Sequence, residues 1–417
     1  MNVLQGKRII LGITGSIAAF KAAELASRLT QMDVLVDVIL TPAAEKFITP
    51  LTLQSVTGRR AFTEADLWGS EAHVLHVGLG HSADLLVIAP CTANTLARLA
   101  HGEADNLLTI TALAAQCQLF IAPAMDGGML DHPATQENLA KLKERGAYIA
   151  GPAEGHLASG LSGKGRLLEP VELLGHIRLL LGRNGRLAGK KVVISAGGTQ
   201  EPLDLVRVLT NKSSGKQGYA LAQAAIDAGA DVTLITTPTA LTPPIGTRAL
   251  AVQTAKQMLD VVVNESASAD VLIMAAAVAD FRPKQIAENK MKKRDGIPQI
   301  ELEETEDILE AVARQRSGMP VLRPDATGGS ISAKRPCVMV GFAAESHALL
   351  ENASEKLKSK ELDLIVANDI SSKDAGFGME SNRVTLLYPN GKQESLPLMS
   401  KSDVADTIIE RVLALLE

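Results

Sequence analysis

Several segments place glycine and hydroxyl residues directly after an apolar run, an arrangement that suits the binding of a phosphate group. Residues 12–17 (GITGSI) follow the apolar run Arg8–Ile13 and precede an alanine-rich stretch. Glycines there allow a tight turn, and the free amides at the start of a helix can bind an anion. The dinucleotide-binding spacing G-x-G-x-x-G is absent. The segment alone is equally compatible with an anion site and with an ordinary turn between a strand and a helix.

A second segment, residues 89–95 (APCTANT), carries three small polar side chains where another apolar run ends: Thr92, Asn94 and Thr95. Open α/β sheets bind ligands at the carboxyl ends of their strands, whereas a helix cap would need only one of the three residues. Residues 155–166 (GHLASGLSGKGR) are rich in glycine. This composition predicts a flap over a site rather than regular structure.

The second half of the chain contains a different phosphate-binding pattern. Residues 195–207 (SAGGTQEPLDLVR) follow a new apolar run, and residues 210–216 (TNKSSGK) open a helix. Ser213, Ser214 and the glycine after them would present hydroxyls and amides at the helix start, which suits a triphosphate. A Walker A loop is excluded, because the residue after the lysine is glutamine rather than serine or threonine.

Alternating strand and helix patterns position all of these segments. Continuous apolar runs between helical stretches predict parallel strands covered on both faces by helices. The pattern restarts after residues 181–190, a glycine- and arginine-rich stretch that predicts a linker. The predicted fold is therefore α/β with two domains, residues 1–185 and 190–417, each a mostly parallel Rossmann-like sheet, the second with an antiparallel hairpin at 383–397. The predicted strands are 8–13, 34–40, 85–89, 119–122, 191–195, 232–236, 271–275, 338–341 and 364–367, and the predicted helices include 17–30, 214–228 and 401–416.

Composition excludes several classes of protein. The 417 residues carry 42 basic and 47 acidic side chains, and the net charge of −5 argues against nucleic-acid binding. Three scattered cysteines are too few for a disulfide framework or a cysteine-built zinc site, which favours a reducing compartment. No apolar run approaches the roughly 18 residues of a membrane span, and no signal peptide is recognisable, so we expect a cytoplasmic protein with no membrane partner.

The polar residues 314–335 predict a mobile surface loop.

Motifs along the whole chain resemble those of a known family. The motifs of the first half follow the order found in flavin-containing cysteine decarboxylases. In that order they are GSIAAFK, His76 ahead of HSADLLVIAP, APCTANT, HGEADNLL, PAM-x-x-x-M and GKGRLLEP. Essentially all 417 residues resemble the bifunctional bacterial family of coenzyme A synthesis, which joins a phosphopantothenoylcysteine decarboxylase to a phosphopantothenate–cysteine ligase. The resemblance implies a flavodoxin-like flavoprotein domain followed by a ligase domain, whose signature is the SAGGTQEP and NKSSGK region.

For the first domain, the resemblance implies FMN and an oxidative decarboxylation, in which the cysteine moiety becomes a thioaldehyde, loses carbon dioxide and is then reduced. His76 matches the family's active-site histidine, although a lone histidine would be interpreted as structural. Two positions depart from the family: Asp126 replaces the asparagine that binds the substrate carboxylate, and Ser159 replaces the cysteine that donates a proton. The positions that match FMN-binding residues are Gly15, Ser16, Ile17, Thr41, Thr92, Asn94 and Thr95.

Both departures concern charge or acidity. A carboxylate beside the substrate's carboxylate requires that Asp126 have a raised pKa or a neighbouring cation. A thiol, with a pKa of about 8.5, donates a proton at neutral pH far more readily than the hydroxyl of Ser159. Cys91 is a candidate for a displaced donor, but a small buried residue is the favoured interpretation.

For the second domain, the resemblance implies a two-step ligation, in which CTP converts 4′-phosphopantothenate to an acyl-cytidylate and cysteine then displaces CMP. Asn211 matches a residue of the second step. Lys290 matches the lysine that forms the acyl-cytidylate, where a cation neutralises developing charge; without the match it would belong to a solvated lysine run. Mg²⁺ or Mn²⁺ is expected to bridge the triphosphate, with no dedicated metal site recognisable. The matched CTP-binding positions are Met274, Ala275, Ala276, Asp280, Lys290, Thr305, Glu306, Asp307, Ile308, Phe342, Lys356 and Lys360. Residues 305–308 depart from the family, because they have the sequence TEDI where the family has N-P-D-I.

The leading interpretation is a two-site enzyme whose partners are 4′-phosphopantothenate, cysteine and CTP. An alternative keeps the ligase but makes the first domain an impaired FMN-binding assembly or regulatory module, which Asp126 and Ser159 allow. A third, an NAD-dependent oxidoreductase, is disfavoured by the missing dinucleotide fingerprint. The resemblance also implies a homo-oligomer, with trimeric decarboxylase cores and dimeric ligase domains in a dodecamer.

Overall fold

The chain forms two compact units, Asn2–Leu181 and Gly182–Glu417. A computed structural model describes residues 3–68, 74–157, 160, 162–293, 296–318, 336–345, 349–369 and 379–417. Helices and strands alternate in both units, so the predicted α/β class with two mostly parallel sheets is confirmed. Within the described ranges, no helix combines the length and apolar character needed to cross a bilayer.

The first unit is built around a parallel sheet. Its strands are β1 (Arg8–Ile13), β2 (Leu35–Leu40), β3 (Ala61–Phe62), β4 (Leu85–Cys91), β5 (Gln118–Pro123), β6 (Tyr148–Ile149), β7 (Ala153–His156) and β8 (Ser162–Arg166). Its helices are α1 (Ala19–Gln31), α2 (Pro50–Thr57), α3 (Leu75–Ser82), α4 (Ala93–His101), α5 (Leu107–Ala114), α6 (Gly127–Asp131), α7 (Pro133–Glu144) and α8 (Pro170–Gly182). The sheet has the order β3-β2-β1-β4-β5-β6. The order reverses between β1 and β4, where doubly wound sheets leave a crevice for ligands.

Both faces of this sheet are buried, because successive residues of a strand face two different apolar clusters. Ile9, Leu11 and Ile13 of β1 belong to the cluster that includes the apolar residues of α1. Ile10 belongs to the opposite cluster, which includes residues of α4 and α5. The uninterrupted apolar run of β1 in the sequence therefore reflects helices on both sides of the strand.

The second unit contains a larger sheet. Its strands are β9 (Lys191–Ala196), β10 (Gln200–Pro202), β11 (Val208–Thr210), β12 (Asp231–Thr236), β13 (Arg248–Ala251), β14 (Val271–Met274), β15 (Phe281–Pro283), β16 (Leu302–Glu304), β17 (Val338–Glu345), β18 (Leu364–Asp369), β19 (Ser381–Asn382), β20 (Val384–Leu387), β21 (Gln393–Ser395) and β22 (Met399–Ser400). Its helices are α9 (Lys216–Asp227), α10 (Ala255–Ser266), α11 (Ile308–Arg316), α12 (Leu349–Ser359) and α13 (Lys401–Leu416). The main sheet has the order β13-β12-β9-β14-β17-β18-β20-β21. It is parallel up to β18, and β20 and β21 form the predicted antiparallel hairpin.

Nearly all of the stretch predicted as a linker, residues 181–190, is instead part of the second unit, which begins at Gly182. Leu187 has no exposed surface, and its amide donates a 2.7 Å hydrogen bond to the carbonyl of Ala228. The sequence suggested a linker because glycine and arginine dominate the stretch. The burial of one leucine, Leu187, nevertheless holds the stretch in the second unit.

The prediction that residues 155–166 lack regular structure is also wrong. β7 and β8 pair in antiparallel fashion, with an irregularity in register at the start of β7. Gly165 adopts a φ of 143°, a conformation that L-residues with a side chain rarely adopt. Glycines in this hairpin therefore permit unusual strand conformations rather than preventing strand formation.

The predicted loop at residues 314–335 is partly helical. Residues 314–316 form the last turn of α11, where Arg316 donates to Asp363 at 2.9 Å. Residues 319–335 lie outside the described part of the chain. The prediction was wrong for the first three residues, because arginine is compatible with the end of a helix.

We expect Asp37 to be important for the stability of the first unit. Its side chain, 4% exposed, bonds Arg8 at 2.6 Å and Arg59 at 2.7 Å. Asp37→Ala would leave two partly buried guanidinium groups without their counter-charge, and should lower the free energy of unfolding by about 2 kcal/mol. Hydrogen–deuterium exchange of the β1 and β2 peptides would measure this locally. Glu24→Ala, which removes an exposed pair with Arg28, is the matched control and should cost less than about 0.5 kcal/mol; equal loss of protection in both variants would contradict the assignment.

Candidate functional sites

The first unit has a cavity of about 650 Å³ beside the carboxyl ends of β1 and β4. Ile17, one of the residues matched to FMN binding, lines an adjoining cavity of about 390 Å³. The two cavities share Ser16, Ala124 and Met125. The structure thus brings the matched residues together around one two-part cavity. Those that line the larger part are Gly15, Ser16, Thr41, Thr92, Asn94 and Thr95.

A buried hydroxyl group joins the two strands that flank this crevice. Thr14 is 1% exposed, and its Oγ1 donates to the Pro90 carbonyl at 2.7 Å and accepts from the amide of Thr92 at 3.0 Å. Thr92 is also the N-cap of α4, where its side chain accepts from the amide of Thr95. The start of α4 is therefore fixed beside the turn after β1, and its free amides face a site suited to an anion.

The smaller cavity is closed by the β7–β8 hairpin. The amide of Met125 donates to the carbonyl of Gly165 at 3.0 Å, so β8 lies against the loop that carries Asp126. Asp126 is the N-cap of α6, and its Oδ1 accepts from the amide of Gly128 at 2.9 Å. His156, on β7, lines the same cavity.

Two cations line the smaller cavity together with Asp126. Lys21 is buried and donates to the Leu167 carbonyl and to Glu169, both at 3.0 Å. Arg166 donates to the same carboxylate at 2.6 Å. The hydrogen bond from Lys21 outweighs partial burial and holds the pKa of Glu169 below its ordinary value. The sequence predicts a raised pKa or a nearby cation at Asp126, and two cations line the same cavity as Asp126, each paired with Glu169.

One residue assigned a catalytic role from the sequence is not brought into either cavity: His76 is half-buried on α3 and lines neither of them. Ser159 lies outside the described residues.

Cys91, the alternative proton donor, is fully buried at the end of β4. Burial raises the pKa of its thiol. The interpretation of this residue as a small core side chain is confirmed by its burial, which leaves it no surface on either cavity.

The second unit has a cavity of about 870 Å³ between the start of α9 and the ends of β14, β17 and β18. It therefore lies at the carboxyl edge of the sheet, as expected for a doubly wound fold. Two residues of the matched set, Lys290 and Lys360, do not line it. The matched residues that do line it are Asn211, Met274, Ala275, Ala276, Asp280, Thr305, Glu306, Asp307, Ile308, Phe342 and Lys356.

Hydroxyl groups also hold the loops of this second cavity. Ser195 Oγ, at the end of β9, accepts from the amide of Ala276 at 3.1 Å, and Thr199 Oγ1 accepts from the amide of Ala279 at 2.9 Å. Thr305 Oγ1 donates to the Ala279 carbonyl at 2.6 Å. These bonds fix the loop after β14 against the loops on either side of it.

Two of the matched lysines bond to protein oxygens. Lys356 donates to the Phe342 carbonyl at 3.1 Å, and Lys360 pairs with Asp307 at 2.7 Å. Burial alone would raise the pKa of Asp307, but the hydrogen bonds from Lys360 and a backbone amide outweigh it and lower that pKa. Lys290 is exposed on a loop.

Sequence reasoning missed some residues of this cavity. Gln217, Asn382 and Lys401 line it, although none matched a family motif. A capping serine before an amphipathic helix is a signal that places Lys401 in a first helical turn, and Ser400 does cap α13. No local signal could show that α13 packs on α9.

Comparison with known proteins relates both units to described families. Residues 2–181 match the family described as "Flavoprotein", and residues 187–323 and 324–416 match "DNA/pantothenate metabolism flavoprotein C-terminal domain". The coenzyme A biosynthesis bifunctional protein CoaBC of Bacillus subtilis is 40% identical over 99% of this chain and 98% of its own. That of Vibrio cholerae is 43% identical over 99% of both chains. A crystal structure of the C-terminal domain of a CoaBC protein aligns with 56% of this chain and 98% of its own, at 36% identity and a TM-score of 0.45.

The burial of Cys91 leads to a test by thiol labelling. Iodoacetamide should alkylate the exposed Cys337 readily and the half-buried Cys117 slowly, and it should leave Cys91 unmodified until the protein is unfolded. Peptide mass spectrometry of native and urea-treated protein would measure the three sites separately. Rapid labelling of Cys91 in the native protein would show that it is accessible and would restore it as a candidate proton donor.

Proposed function

The chain belongs to the CoaBC family of bifunctional coenzyme A biosynthesis proteins, and we propose that it makes 4′-phosphopantetheine in two steps. Residues 190–417 join cysteine to 4′-phosphopantothenate with CTP, and residues 1–185 decarboxylate the product with FMN. The observation that carries this proposal is that each unit has a cavity at the carboxyl edge of its sheet, lined by most of the described residues that match the family's motifs.

The crevice of the first unit fits FMN. The start of α4 and the Ser16 hydroxyl offer hydrogen bonds to a phosphate group, and Ala124 and Met125 contribute apolar surface to a flat ring. A Cβ at Gly15 would lie 2.5 Å from that of Ala43, so the absence of a side chain there keeps the turn tight. When bound, the flavin supplies the hydride transfer that oxidises and later reduces the substrate.

The smaller cavity suits the carboxylate of phosphopantothenoylcysteine. Lys21 and Arg166 line the same cavity as Asp126, and the part of their positive charge that Glu169 does not balance would offset the repulsion between Asp126 and the substrate. Asp126 itself orients the start of α6 through its hydrogen bond to Gly128. Ser159, on the segment between β7 and β8, would supply the proton in the reduction step.

The proposed role of His76 requires a second copy of the chain. Since His76 lines neither cavity, it would act on the site of a neighbouring subunit in the expected trimer. Ile17 and Phe20 are exposed by 59% and 63% and line the smaller cavity. An apolar surface beside the site would be buried by such a neighbour.

In the second unit, the hydroxyls of Ser213 and Ser214 and the amides at the start of α9 hold the triphosphate of CTP. Asn211 donates to the Val278 carbonyl at 3.0 Å and would orient the acyl group for attack by cysteine.

Lys290 lies outside the cavity, so its role requires that its loop close over bound CTP. Mg²⁺ or Mn²⁺ would enter with the triphosphate, since the described residues hold no metal-binding group of three or more His, Cys, Asp or Glu.

Two hairpins of the second unit expose apolar side chains. Leu205 and Val206, between β10 and β11, are 75% and 63% exposed, and Phe281 and Leu302, on β15 and β16, are 49% and 46% exposed. We assign these surfaces to the contact between ligase domains, because apolar surface of this extent favours association. Dimeric ligase domains and trimeric decarboxylase cores together give the expected dodecamer, which would operate in the cytoplasm.

The test of the proposed function is a product analysis. The purified protein would be given 4′-phosphopantothenate, cysteine, CTP and Mg²⁺, and its products identified by mass spectrometry. We expect 4′-phosphopantetheine to accumulate, which requires both activities. Accumulation of phosphopantothenoylcysteine alone would support the alternative of a ligase joined to an impaired flavin domain. In that case Ser159→Cys should restore the reduction step, because a thiol is the stronger acid.

The contact between β8 and the loop of Asp126 leads to a prediction for the first unit. A Cβ at Gly165 would lie 2.1 Å from the Met125 carbonyl oxygen, so Gly165→Ala should separate the hairpin from that loop. We expect affinity for FMN, titrated by flavin fluorescence, to fall about tenfold or more.

Gly163→Ala is the matched control, because no atom lies within 4 Å of a Cβ at that position of the same strand. It should bind FMN as the unaltered protein does. If Gly165→Ala binds FMN equally well, the hairpin has no role in shaping the site.

A further inference from the structure

One end of the cavity in the second unit is lined by two lysines to which no role has been assigned. Lys401, the first residue of α13, is only 8% exposed and lines the cavity together with Lys216 of α9. Buried lysines are rare in proteins, because burial penalises the charge. Ser213 and Ser214 line the same end of the cavity, at the start of α9.

The basic charge of this cavity is concentrated at the α9 end. The cations among the described lining residues are Lys212, Lys216, Lys356 and Lys401. Of these, Lys356 belongs to the opposite side, where it bonds the Phe342 carbonyl. Lys212, Lys216 and Lys401 are therefore the lining cations available to an anion bound near the start of α9.

The two lysines repel one another in the ligand-free protein. Burial lowers the pKa of Lys401, the charge of Lys216 lowers it further, and Glu380 opposes these effects. Glu380 forms an ion pair with Lys216, but its side chain is 86% exposed, so solvent screens its charge. A multiply charged anion placed beside both ammonium groups would offset their repulsion.

The position of Lys401 is fixed by packing between two helices. The side-chain amide of Gln217 donates to the Lys401 carbonyl at 3.2 Å, and the Lys401 amide donates to the Glu380 carbonyl at 3.0 Å. The start of α13 is therefore tied to the start of α9. These bonds fix the backbone of Lys401, and because its side chain is also buried, that side chain has little rotamer freedom to lose when it binds a ligand.

We propose that Lys401, with Lys216, binds a phosphoryl group of a substrate in the ligase reaction. This inference rests on the proposed function, which supplies two phosphorylated substrates, CTP and 4′-phosphopantothenate. Both present the same chemistry to a lysine pair, and the kinetics of variants distinguish them.

The decisive variant is Lys401→Met, which keeps the length of the side chain and removes its charge. The KM for either CTP or 4′-phosphopantothenate should rise about tenfold to a hundredfold, as for loss of a hydrogen bond to a charged group, whereas the KM for cysteine should not change. Lys401→Arg should retain most of the affinity. Lys256→Met removes an equal charge on the exposed face of α10 and outside the cavity, and should leave all three constants unchanged.

A measurement in the absence of turnover separates binding from folding. Inorganic triphosphate and inorganic phosphate should each be tested for the rise in melting temperature that they produce. The unaltered protein and Lys256→Met should be stabilised by at least one of them, and Lys401→Met much less. The melting temperature of ligand-free Lys401→Met gives that variant's own stability, against which each rise produced by an anion is measured.

Two results would overturn the inference: unchanged KM values for both phosphorylated substrates, or equal stabilisation of Lys401→Met by the anions. A lowered melting temperature with unchanged KM would mean that Lys401 is structural. If the unaltered protein makes no phosphopantothenoylcysteine, the proposed function fails, while the anion titration still tests Lys401.

Discussion

Both cavities depend on buried hydroxyl groups that join the strands on either side of a reversal in strand order. In the first unit, Thr14 bonds the backbone at the end of β4. In the second, Ser195 and Thr199 bond the loop that follows β14. Parallel strands that diverge at their carboxyl ends leave backbone groups without a sheet partner, and these groups must be satisfied elsewhere. A short hydroxyl side chain satisfies them without filling the crevice, so each ligand cavity can persist beside a tightly packed core.

The charges of the two cavities follow a common arrangement. The chain has a net charge of −5, yet the proposed substrates are anionic. Cations at each cavity are held by a carboxylate of the same unit: Lys21 and Arg166 by Glu169, and Lys216 by Glu380. Such pairs position the cations before a ligand arrives, and an incoming carboxylate or phosphate then competes with a protein carboxylate that is partly exposed to solvent.

Much of the fold could be predicted because strong local patterns determine it. The apolar run of β1 and the amphipathic α13 were predicted with the bounds that the structure has. Residues within one motif, such as Thr92 and Asn94, lie together because a single turn carries them. Lys290 and Lys360 were assigned by motif alone, and sequence position does not determine the direction of a side chain. Lys401 enters its cavity through packing between distant helices, for which the sequence carries no local signal.

The packing of residues 182–190 has a consequence for dissecting the chain. Because Leu187 is fully buried within the second unit and its amide bonds the end of α9, the independently folding segment begins before its first strand. A fragment that starts at β9 would expose the apolar site that Leu187 fills and would be poorly soluble or unstable. A fragment meant to contain the whole second unit should therefore begin close to Gly182, well ahead of β9.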